Sequence, residues 1–128
     1  MTGSRSWTSR EKIAKALDEI TKTAAMHKGG IVVIEGGAVG ADTLCRLEAW
    51  SRGWHVATVK ALWGSYGNSA GHIRNNAMVI PMEPHACAAF IGECIKEECP
   101  IPGPHDSHGV SDCIDRVKAA GIPLMEYR

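Results

Sequence analysis

A run of four apolar residues, "IVVI" at 31 to 34, meets an acid and two glycines, and a third glycine follows after Ala38 and Val39. Helical spacing begins at about Asp42. That succession constrains the fold more than any other stretch of the chain. A short, continuously apolar, β-branched run suits a strand buried on both faces. Glycines at its end let the backbone bend sharply or lie close against another group. The result is a strand–turn–helix unit.

The pattern recurs along the chain. Ile13, Ala16, Leu17, Ile20 and Ala24 share one face of a helix predicted over 8 to 27, with Thr8 or Ser9 as cap and Gly29-Gly30 as stop. Further helices are predicted over 39 to 51 and 69 to 81, with strands over 55 to 59 and 86 to 91. Residues 60 to 68 read as a loop, as does the Pro- and Gly-rich stretch over 99 to 109. Val110, Cys113, Ile114 and Val117 then repeat the helical spacing. A last strand over 122 to 125 carries Pro123, the mark of an edge position.

Alternating strands and helices imply an α/β fold, a parallel sheet of four or five strands covered by helices on both faces. Right-handed crossovers put a ligand crevice at the carboxyl ends of the strands. The 128 residues suffice for a single domain, 1–128. Fourteen basic residues balance fourteen acidic ones without a basic block, which argues against a dedicated nucleic-acid binder. No apolar stretch approaches the roughly 18 residues of a membrane span. The absence of an apolar leader and the odd count of five cysteines lead to an expectation of reduced thiols in the cytoplasm.

Three segments fall where strands end and helices begin: "TGSR" (2 to 5), "EGGAVGAD" (35 to 42) and "DSHGVSD" (106 to 112). Free N–H groups at a helix start attract anions, so these glycines are expected to let a phosphate or sugar approach the backbone. Neither a dinucleotide fingerprint nor a P-loop is present. Asp42 suits a cap or an acceptor for ribose hydroxyls, since it repels a phosphate beside it. Arg5 and Arg74 are the expected anion partners, because a guanidinium fork matches phosphate. Trp63 and Tyr66, on a loop with Gly64 and Gly67, suit either stacking on a base or anchoring of the loop.

Cys94, Cys99, His105 and His108 read C-x4-C-x5-H-x2-H and are zinc-ligand types. Their spacing matches no tight knuckle, and Cys94 is expected in a helical turn. The cysteines are therefore read as small buried hydrophobes, and no metal is expected. Ser107, His108 and Asp112 are too close in sequence to act as a triad.

Taken together, "TGSRSW", "EGGAVGAD", "ALWGSYGNSAGHIRNNAM" and "GVSDCIDRVKAAGIP" resemble the SLOG superfamily, in its stand-alone branch related to YspA and YpsA. The superfamily includes the LOG phosphoribohydrolases and the DNA-processing DprA proteins. The resemblance implies a Rossmann-like three-layer α/β/α fold and binding of nucleotides or nucleotide-derived ligands. It makes Gly3, Ser4 and Arg5 a first ligand loop and Gly36, Gly37, Gly40 and Asp42 a second. Ser107, Gly109, Val110 and Ser111 form the last. Arg74 and Met78 match the R-x-x-x-M helix of LOG enzymes, whose arginine contacts substrate phosphate. Relatives carry a longer apolar strand before T-G-S-R, so the first strand here is expected to be truncated, unless the native chain starts upstream of Met1.

One departure bears on chemistry. LOG enzymes place a catalytic glutamate where this chain has Cys113, and Val110 replaces their threonine. The resulting expectation is a binder of a nucleotide or NAD-derived molecule, for sensing, sequestration or carriage, with no cofactor required. The alternatives are an N-glycosidic hydrolase using Asp112, Glu35 or Asp42, and a DprA-like DNA accessory, which the balanced charge disfavours. A homodimer is also expected, because four tryptophans exceed what one small core readily hides and the Met78 helix pairs in related LOG enzymes.

Overall fold

The structure, a computed structural model, describes residues 1 to 24 and 30 to 128. The continuation of the first helix to residue 27, its stop at Gly29 and the packing of the Ala24 side chain lie outside them. In order, the elements are β1 (Thr2–Gly3), α1 (Arg10–Ala24), β2 (Val32–Glu35), α2 (Ala41–Ser51), β3 (His55–Thr58), α3 (Trp63–Tyr66), α4 (Ala70–Val79), β4 (Cys87–Phe90), α5 (His108–Ala119) and β5 (Leu124–Tyr127). Ser9 caps α1 by accepting the Lys12 N–H at 3.3 Å. The predicted loop over 60 to 68 instead contains α3 and most of a 3₁₀ turn at Gly67–Ser69.

Every strand pair is parallel. The principal sheet has three strands in the order β1-β4-β5, not four or five; β2 and β3 form a separate pair. The cause is the shortness of β1. Its two residues pair with Ala89 and Phe90 of β4. Toward β2 it offers the Met1 ammonium, which donates to the Ile34 carbonyl at 2.6 Å. The expected truncation of the first strand is thus visible as a break in the ladder. Pro123 does precede an edge strand, and its carbonyl accepts the Cys87 N–H at 2.8 Å.

Strand β4 shows why this is a layered fold. All four of its residues are buried, and their neighbours alternate with period two. Ala88 and Phe90 face a core built from α1, α2 and β2, including Ile13, Leu17, Val33, Cys45 and Trp7. Cys87 and Ala89 face the other way, onto Cys113 and Val117 or Val110 and Ile114 of α5. Alanine is a poor strand former, yet here its small side chain lets helices approach both faces. Phe90 is the anchor, 5.3 Å from the rings of both Trp7 and Tyr127. Strand β2 departs from the expectation of burial on both faces: Val33 is buried, but Val32 is 58% exposed.

Candidate functional site

The carboxyl ends of β1 and β2 meet the start of α2 at very short range. A Cβ on Gly3 would lie 2.2 Å from the Cβ of Ala41. A Cβ on Gly40, at φ +79°, would lie 2.5 Å from the carbonyl oxygens of Ser4 and Arg5. At Gly36 it would lie 1.6 Å from Nη1 of Arg74. On the side where a Cβ would stand, these three glycines admit parts of the protein itself. Gly109 differs: nothing lies within 4 Å of its missing side chain.

The loop after β2 is also closed electrostatically. Its successive N–H groups could cradle an anion, but each already has a carboxylate. Asp42 Oδ2 accepts from Gly36 N at 3.1 Å and Ala38 N at 3.2 Å, and Glu35 Oε2 accepts from Gly37 N at 2.6 Å. Glu35 is fully buried and further bonded by Arg46 at 3.0 Å and by the Thr58 hydroxyl. Burial pushes the Asp42 carboxyl up from its ordinary value; the Ala38 N–H and the Arg74 charge offset this only in part.

Arg74 reaches this loop from α4. Its Nη1 donates to the Gly36 carbonyl at 2.7 Å and lies 3.8 Å from Asp42 Oδ2, and its Nε donates to Asn75 Oδ1 at 2.9 Å. Nη2 has no hydrogen-bond partner among the described residues. The buried Asn75 amide continues to α5, donating to the Gly109 carbonyl at 3.1 Å and to Asp112 Oδ2 at 2.8 Å. Asp112 also accepts from Arg116 at 3.0 and 3.1 Å and from Nδ1 of His72 at 2.8 Å. Burial alone would raise the Asp112 carboxyl, but the bonds from Arg116, Asn75 and His72 outweigh it and hold it at about 2.

These elements enclose a cleft of about 780 Å³. Of the expected ligand residues, Gly3, Ser4, Arg5, Gly36, Asp42, Arg74, Ser107, Gly109 and Val110 line it; Gly37, Gly40 and Ser111 do not. Of the three candidate acids only Asp42 lines it; Glu35 and Asp112 do not. Cys113 is buried against Val79, Cys87 and Val117, away from the cleft. Arg5 and Lys96 line the cleft without an ion-pair partner among the described residues, and Trp63, half exposed, completes a wall. Tyr66 does not reach it.

Sequence reasoning missed Lys96, His72 and Asn75 as lining residues. The polar run Arg74-Asn75-Asn76, costly inside a helix, hints at a site there without marking Asn75 as a lining residue. Lys96 had no such signal, because it arrives through a fold-back: Glu93 and Asp106 form an antiparallel bridge, and Cys94 N donates to the His105 carbonyl at 2.8 Å. Cys94 is therefore not in a helical turn. Cys45, Cys87 and Cys113 are buried as expected, but Cys94 and Cys99 are only partly so, and both converge with His105 and His108 at the cleft rim.

The sequence model of the YspA, cpYpsA-related SLOG family matches residues 1 to 66, from β1 through α3. The chain is also similar to the Gene 61 protein of Mycobacterium phage D29, with 31% identity over 134 residues spanning 99% of this chain and 93% of that protein. No solved structure matches. Among the described residues, no helix is long and apolar enough to cross a membrane.

Proposed function

The chain belongs to the YspA, cpYpsA-related SLOG family, and from that premise we propose that its cleft binds a nucleotide or NAD-derived small molecule without turning it over. The observation that carries this reading is the composition of the cleft. Arg5 and Lys96 supply unpaired positive charge, the start of α5 at Gly109 is sterically open, Trp63 offers a ring for a base, and Asp42 offers an acceptor for ribose hydroxyls. The phosphate belongs at the α5 end, since the amides after β2 are already occupied. Free cysteines support a reducing, cytoplasmic setting. A homodimer joined through α4, where Ile73 and Ile80 are 44% and 54% exposed, belongs to the same reading.

The test is calorimetric titration with AMP, ADP-ribose, NAD and adenosine. At least one phosphorylated ligand binds, and adenosine binds more weakly. A charge-assisted hydrogen bond is worth roughly 1.5–3 kcal/mol, so Arg5→Ala and Lys96→Ala each weaken binding by about 10- to 150-fold where they meet phosphate. Equal binding of adenosine and AMP, or none by any of the four, defeats the reading. One observation favours hydrolysis of an N-glycosidic bond as the second reading: Asp42 faces the cleft with its carboxyl shifted up, as a proton donor requires. Incubation with AMP is expected to release no adenine above background. Release that Asp42→Asn abolishes would establish the hydrolase instead.

A further inference from the structure

We propose that Cys94, Cys99, His105 and His108 form a structural zinc site, fastening the loop over 93 to 107 to the start of α5. One ligand atom from each of the four residues lies within 4.8 Å of all the others. Three of the finer distances approach those of a coordination shell. Nε2 of His105 and Nε2 of His108 are 3.2 Å apart, and Cys99 Sγ is 3.3 Å from the first and 3.0 Å from the second. Around one tetrahedral zinc with ordinary bond lengths, N···N edges are about 3.3 Å, S···N edges about 3.6 Å and S···S edges about 3.8 Å. The two imidazoles already stand at the N···N edge. Small outward shifts of the thiols complete the tetrahedron.

The surroundings fit a metal as well. Nδ1 of His105 donates to the Gly103 carbonyl at 2.8 Å, which fixes the tautomer and leaves the Nε2 lone pair facing the other three groups. Two thiolates and two imidazoles select zinc over the hard cations, which take oxygen. Binding displaces the two thiol protons to solvent. Four protein ligands leave no open position, so the site is structural.

The loop also needs such an anchor. It carries Pro100, Pro102 and Pro104 and no helix or strand beyond the single bridge of Glu93 with Asp106. Its larger apolar side chains are not buried: Ile95 is 61% and Ile101 48% exposed. A loop of this length with so little core is held by something else, and a metal that closes it does so efficiently. Cys94, Lys96 and His108 all line the cleft. The metal therefore also sets the position of Lys96 against the α5 start, independently of what the cleft binds.

The experiment uses the untagged full chain. Protein purified without chelator is expected to carry about one zinc per chain by elemental mass spectrometry. Stripped protein titrated with Co²⁺ alone should give the intense visible bands of tetrahedral cobalt, with a thiolate charge-transfer band in the near ultraviolet. Cys94→Ala with Cys99→Ala should abolish both the zinc and the thiolate band, and His108→Asn should weaken Co²⁺ binding and alter the visible bands. Chelation should lower the melting temperature of the wild type and leave that of the double variant unchanged. The wild-type measurements need no variant to fold: no zinc above buffer, together with only the weak bands of octahedral cobalt, overturns the proposal. A thiolate band that survives in the double variant also overturns it, since the metal then sits elsewhere.

Discussion

Arg74 shows how one side chain can be marked by the sequence and still carry a contact that the sequence does not reveal. From the sequence it is an expected anion partner, because a guanidinium fork matches phosphate. In the structure it bonds the Gly36 carbonyl and stands beside the buried Asp42. That contact joins residues 38 positions apart, so no local pattern could reveal it. Arg74→Ala leaves the Gly36 carbonyl without its partner and removes the positive charge beside Asp42, at a cost of about 1–3 kcal/mol. The melting temperature is expected to fall, whatever happens to ligand affinity, and Arg74→Lys should recover only part of the loss, because a point charge cannot serve Gly36 and Asn75 together. Gly36→Ala should act through the same contact, since its methyl group occupies the place of Nη1. Unchanged melting in both Arg74→Ala and Gly36→Ala would show that this bond does not hold the loop.

At the scale of elements, α4 and α5 were both expected, but burial follows the helical period only in α5, at Val110, Cys113, Ile114 and Val117; α4 buries Met78 and Val79 and leaves Ile73 and Ile80 44% and 54% exposed. What joins the two helices was not legible. The joint is polar, built on Asp112 with Asn75, His72 and Arg116, and polar residues on a helix read equally well as a solvated face. The loop over 93 to 107 was opaque for a related reason: its order comes from side chains that converge in space, not from apolar periodicity. The Asp112 joint predicts a pH dependence. Its folded value is depressed to about 2 from an ordinary 3.8, so the unfolded chain takes up the proton first as pH falls. The stability it contributes is fully present above the ordinary value and is lost between there and about 2. Urea unfolding at a series of pH values should find Asp112→Asn less stable than wild type near neutrality, with the gap closing in acid. A gap that stays constant down to pH 2 would mean that the carboxylate charge contributes nothing to the joint.

For the whole molecule, the alternation of strand and helix was enough to read an α/β fold with parallel pairing, because each buried strand must be covered by the helices that connect it. The division into a three-stranded sheet and a separate pair was not readable, since it depends on how many β1 backbone groups reach β2. The tryptophans are unevenly buried. Trp7 is buried at 9%, while Trp50 and Trp63 remain 58% and 51% exposed. The helix carrying Met78 was the expected contact face; Met78 itself is buried at 5% and lines the cleft. The opposite side of α4 is better suited. Ile73 and Ile80 are seven residues apart, two helical turns along one face, and Trp63 of the preceding α3 lies beside Gly71 at the start of α4. Exposed apolar side chains of this kind are where the proposed dimer would join. Sedimentation velocity at high micromolar concentration is expected to show a dimer, and Ile73→Glu with Ile80→Glu should return it to monomer without lowering the melting temperature of the monomer, since neither side chain contributes to the buried core. A wild-type chain that sediments only as monomer would remove the dimer. A dimer that survives both glutamates would move its interface to the exposed face of α2, where Trp50 and Leu47 lie.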